Sequence, residues 1–91
     1  MSPEQIHDEL LALARSAGFD VRRSSGRAGR DSDLPIASGV CRVHGEIWVI
    51  LSSAESLEER SDALVEALTV HAGSLLEDRY LPPAVRARLG V

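Results

Sequence analysis

Lysine is missing from this chain of 91 residues, and so is asparagine. All ten basic residues are arginine. That removes every mechanism needing a lysine amine: Schiff-base chemistry, a serine–lysine pair, the lysine of a phosphate-binding P-loop. One cysteine, Cys41, cannot staple the chain internally, which fits a reducing cytoplasm. Aromatics are scarce as well. Phe19, Trp48 and Tyr80 are the whole set, too few for the base-stacking platforms of single-strand nucleic-acid binders. No apolar run exceeds five residues and the mean hydropathy is -0.04, so no transmembrane helix is expected. The opening Met-Ser-Pro-Glu-Gln has neither the basic start nor the apolar stretch of a secretory signal, and none is expected.

What is present has an ordinary globular balance, 44% hydrophobic with 26% charged, and not the profile of disorder. The length allows one hydrophobic core, so residues 1–91 are read as a single small domain. The bias to arginine and alanine is the mark of a GC-rich genome and points to a small bacterial protein of the cytoplasm. A net charge of -4 argues against general nucleic-acid binding, which is driven by phosphate neutralisation. The charge is uneven, with the second half of the chain the more acidic.

Ser2 is a candidate N-cap, Pro3 suits the first helical position, and Gln5 completes a capping-box spacing. Ile6, Leu10, Leu13 and Ala17 then recur at helical spacing, which predicts a helix over 3–17 closed by Gly18. Phe19 to Arg23 alternates apolar and polar residues and predicts a short strand. Residues 24–39 hold three glycines, a proline and mixed charges with little periodicity. They predict a long loop, a length more often functional or mobile than not.

Val40–Val43 and Ile47–Leu51 carry the strongest strand signals, and His44-Gly45 between them suits a two-residue hairpin turn. In that register Cys41 faces Trp48 and Val40 faces Val49, with Ile50 on the Trp48 side and Leu51 on the other. Both faces are mostly apolar, so each needs cover. If both main helices pack on one side, the other face is a predicted interface. Ser56 and Glu59 stand at capping-box spacing before a leucine stripe at 57, 64, 68 and 75 that predicts a helix to about residue 72, where Gly73 breaks it. Ser74 and Glu77 suit one further short turn, and Pro82-Pro83 opens a short terminal helix within 82–91. The fold class is therefore α+β: a small antiparallel sheet of about three strands packed by two main helices, in the order α-β-β-β-α-α.

No catalytic constellation stands out. His7, His44 and His71 fall in different elements without metal spacing, and Cys41 sits mid-strand as a buried thiol opposite a tryptophan. No serine lies in a nucleophile elbow. Glu58, Asp62 and Glu66 do stack along one helix face, which costs a few tenths of a kcal/mol per like-charged pair unless something neutralises it. The bland reading is a solvated face. The functional one pairs the stripe with arginines, either Arg22, Arg23, Arg27 and Arg30 of this chain or those of a partner.

The stretch IWVILSSAESLEERSDALVEALTVH, from Ile47 to His71, resembles the strand-loop-helix core of repressor-cleaving gluzincin-type zinc peptidases. In that family a His-Glu-x-x-His helix carries the zinc. Aligned on Glu66, the two ligand positions are Val65 and Thr69, neither a normal zinc ligand. The resemblance thus implies an inactive scaffold, since Glu66 would have no metal-bound water to act on.

The leading expectation is a non-enzymatic domain that binds a protein partner or itself, a homodimer being one form of this, with no cofactor implied. Glu58, Asp62 and Glu66 with Arg22, Arg23, Arg27 and Arg30 would set partner choice, and Cys41, Trp48 and Ile50 would supply apolar contact. The alternatives are the degenerate or divergent peptidase-like scaffold and, third, a nucleic-acid accessory protein acting through the arginine-bearing loop.

Overall fold

The computed structural model describes residues 1–24 and 38–91. Its element order is α1 (Pro3–Ser16), β1 (Asp20–Ser24), β2 (Gly39–Val43), β3 (Glu46–Ser52), α2 (Leu57–His71), α3 (Gly73–Asp78) and α4 (Pro83–Leu89). The expected loop 24–39 lies largely outside the described residues. The fold is α+β, as the patterning implies.

Local chemistry sets the ends of α1. The Ser2 hydroxyl accepts from the Gln5 N–H at 3.2 Å, and the Gln5 side chain accepts from the Ser2 N–H at 2.9 Å, closing a reciprocal capping box. At the other end Gly18 adopts φ 86°, a left-handed conformation that a Cβ would strain. Its N–H reaches the Arg15 carbonyl at 3.0 Å, while that of Phe19 reaches Ala14 at 3.1 Å. This is the Schellman arrangement, and it turns Phe19 back against the core.

The hairpin pairs in the register that the apolar pattern predicts. Val43 lies opposite Glu46, Cys41 opposite Trp48 and Val40 opposite Val49. His44 and Gly45 both have positive φ, 51° and 81°, the backbone of a two-residue turn that matches strand twist.

The sheet as a whole corrects the expectation of an antiparallel one. Strand order is β1-β3-β2, and β1 runs parallel to β3, from Asp20 beside Trp48 to Ser24 beside Ser52. The physical reason is that β1 pairs across the hairpin's inner strand instead of extending the meander. A strand on that side, entered from a helix and not from a tight turn, is free to run parallel.

The core lies on one side of this sheet. Val49 and Leu51 of β3 are buried against Leu10, Leu13 and Ala14 of α1 and Leu64, Ala67 and Leu68 of α2. Val21 and Val40 join them from the flanking strands. Leu81, Val85 and Leu89 close the end of the helical layer. Side chains alternate along a strand, so Trp48 and Ile50 face away from this cluster. Among the described residues, no helix of the protein is long and apolar enough to cross a membrane.

Candidate functional site: the outer sheet face and its open edge

The alternation that buries Val49 and Leu51 puts Asp20, Arg22, Cys41, Trp48 and Ile50 on the opposite face. Trp48 and Ile50 are half-buried there, and Cys41 is exposed, not buried as a mid-strand thiol is expected to be. The reason is that β2 is an edge strand, so its outward residues have a neighbour on one side only.

Arg22 organises this face. Its guanidinium carbon lies 4.0 Å from the centroid of the Trp48 ring. The same guanidinium donates from Nε and Nη2 to the two Asp20 carboxylate oxygens, both at 3.0 Å. Asp20 raises the pKa of Arg22, first by these hydrogen bonds and then by its charge. The Trp48 indole Nε1 is buried and has no acceptor among the described residues.

Beyond Trp48 the sheet ends at β2. A two-residue turn closes on the hydrogen-bonded Val43–Glu46 pair, so by alternation the backbone groups of Val40 and Arg42 point to the open side. Among the described residues no further strand occupies that side. Proteins normally blunt such edges with charge, proline or bulges; β2 has only Arg42. Beside this edge, the end of α2 contributes Glu66, Val70 and His71 to a shallow pocket shared with Val40 and Cys41. Val70 is 66% exposed.

The acidic stripe of α2 divides. Arg88 of α4 donates to Glu58 at 3.4 Å and to Asp62 in a second ion pair, so the first two acids are met from within the chain. Sequence separation hid this partner, since Arg88 lies 26 residues beyond Asp62. Glu66 lies further along, at the β2 edge. Arg22 and Arg23 are successive strand residues and point to opposite faces, so they form no common basic patch. Arg27 and Arg30 lie outside the described residues.

On α2 the Thr69 hydroxyl donates to the Val65 carbonyl at 2.8 Å, one turn back along the helix. Among the described residues no group of three or more His, Cys, Asp or Glu side chains is placed to hold a metal ion. Against known protein families, curated proteins and solved structures, nothing matches this chain.

Proposed function

We propose that this protein is a non-enzymatic binding domain that acts by self-association, a second copy adding its β2 to the open edge of the first. The observation that carries this reading is the β2 edge, which no further strand occupies among the described residues. Antiparallel pairing about Cys41 brings Val40 of one copy opposite Arg42 of the other, with the outward backbone groups of both residues matched. The two sheets then become one, and the Trp48 and Ile50 faces join into a single broader surface.

Composition along the edge suits a second copy. An isologous contact must complement itself. Glu66 and His71, on one stretch of α2 with exposed Val70 between them, can pair reciprocally across a two-fold axis. Val70, 66% exposed, supplies apolar area at this edge.

The test uses proline chemistry. Arg42→Pro removes an N–H that faces the open side, which an edge strand tolerates, while denying an incoming strand its partner. Light scattering should give a dimer for the parent and a monomer for Arg42→Pro, with both folded by circular dichroism. Treatment with diamide should join the parent through Cys41, because facing residues in this register bring two Cα atoms within disulfide reach. A parent that is monomeric at high micromolar concentration, or an Arg42→Pro variant that still dimerises, would overturn the reading.

A further inference from the structure

At the end of the sheet where β1 and β3 finish side by side, the helical face holds a cavity of about 140 Å³ lined by His7, Arg23, Leu51, Ser53 and Arg60. Four elements of the fold build it. Arg23 comes from the end of β1, where its register partner is Leu51. His7 comes from α1, Ser53 follows β3, and Arg60 stands in the first turns of α2. The cavity therefore sits beside the positive end of the α2 dipole.

Its wall is one-sided chemically. Two arginines and a serine are among its lining residues, and among the described residues no carboxylate is. Among the described residues neither arginine has a carboxylate within ion-pair distance. Among the described residues the Arg60 side chain makes one polar contact, a long one from Nε to the Ser56 carbonyl at 3.5 Å. At its back is His7, whose side chain is only 9% exposed. The His7 Nε2 is buried and has no hydrogen-bond partner among the described residues. A buried ring nitrogen left unmatched is costly, so it calls for a ligand or a role.

We infer that this cavity is a binding site for a tetrahedral oxyanion, a phosphate or sulfate group, held by Arg23 and Arg60 with Ser53 and His7 Nε2 completing the contacts. The volume fits such a group, against the roughly 30 Å³ that one water molecule occupies in the liquid. Planar guanidiniums are the side chains best matched to such oxygens, since each offers two parallel donors. A bound anion also relieves the mutual repulsion of the two arginines.

His7 gives the site a built-in reporter. The groups that face it are Asp8 of its own helix, with Oδ1 3.8 Å from Nδ1, Arg60 of α2 and Arg23 of β1. Burial first, and then Arg60, lower its pKa below the usual 6.5, with Asp8 opposing and Arg23 adding to the fall. The neutral ring is therefore favoured near pH 7 when no anion is bound. An oxyanion at Nε2 favours the imidazolium, so binding takes up a proton and tightens as pH falls.

Titration of the full-length protein with inorganic sulfate, whose charge is constant over this range, followed through the histidine NMR resonances, tests the proposal. Saturable shifts of the His7 signals are expected, with a rise in the His7 pKa on binding. Arg23→Gln and Arg60→Gln should each weaken sulfate at least tenfold, the loss of one charge-assisted contact. Arg79→Gln, outside the cavity, should bind as the parent does. His7→Gln, followed by titration calorimetry in place of the lost His7 signals, should still bind sulfate but lose the pH dependence. Inorganic phosphate and O-phosphoserine then distinguish a free anion from a phosphomonoester, and tighter binding of either identifies the source. His7 signals that do not move up to tens of millimolar sulfate would overturn the site, as would equal affinity in the parent and both arginine variants.

Discussion

The guanidinium of Arg22 lies over Trp48, its carbon 4.0 Å from the ring centroid, and is held at once by the aromatic ring and by the carboxylate of Asp20. Because Trp48 is the only tryptophan, its fluorescence reports this one contact. Replacing Arg22 by glutamine should shift the emission to the red as the ring loses cover. Only a small stability loss is expected, since a cation–π contact at a solvated site is weak. An unchanged emission maximum would show that the ring takes its environment from elsewhere.

Arg88 stands between Glu58 and Asp62 and is itself only 26% exposed. Arg88→Gln restores the like-charge repulsion along α2 and should cost roughly 0.2–1 kcal/mol in chemical denaturation, given well-solvated acids. Added salt should shrink the difference between variant and parent, because the acids are open to screening. A difference that persists in molar salt would instead point to packing of the Arg88 stem.

Gly45 has φ 81° with open space where a Cβ would stand, so the cost of a side chain there is conformational and not steric. Gly45→Ala should lower stability by about 1–2 kcal/mol, and Gly45→Asn, which tolerates the left-handed region, by less. Thermal melts of the two variants side by side make the comparison.

Glu55 ties the start of β2 to the end of β3. Its carboxylate accepts from the Ser38 N–H, and the Ser38 hydroxyl accepts from the Ser52 N–H at 2.8 Å. The Ser38 backbone bond first, then the Glu59 side chain and the Ser38 hydroxyl, hold the Glu55 pKa below the usual 4.5. The unfolded chain therefore binds this proton more readily than the folded one. Its contribution to stability is complete above pH 4.5 and is lost as pH falls through the lower folded value. In Glu55→Gln the melting temperature should fall less steeply below pH 5 than in the parent.

Capping boxes, the glycine-closed first helix and the hairpin register were legible because each depends on residues a few positions apart. Ser2 with Gln5, Ser56 with Glu59 and His44-Gly45 between β-branched runs leave little freedom. The direction of β1 was not legible: five residues from Asp20 to Ser24 carry no mark of which partner they take. The candidate interface was legible in part. Trp48 and Ile50 followed from alternation, whereas the exposure of Cys41 depended on β2 being an edge. Arg88 at the acidic stripe and the meeting of His7, Arg23 and Arg60 are products of packing between distant segments, which no local pattern records.

The mixed sheet also sets an order of assembly. The β2–β3 hairpin closes through two residues, and α2 follows directly, so this unit meets its partners within a short length of chain. Asp20 must instead find Trp48 across the whole connection and a finished strand. Loop-closure entropy places that step after the hairpin. The inner edge of β3 is thus the last surface to be covered, and α1 and β1 dock together onto a nearly complete template. A chain truncated before Gly39 would keep the hairpin's local chemistry yet expose one edge of β3, so α1 and β1 serve as the protein's own cover against mispairing.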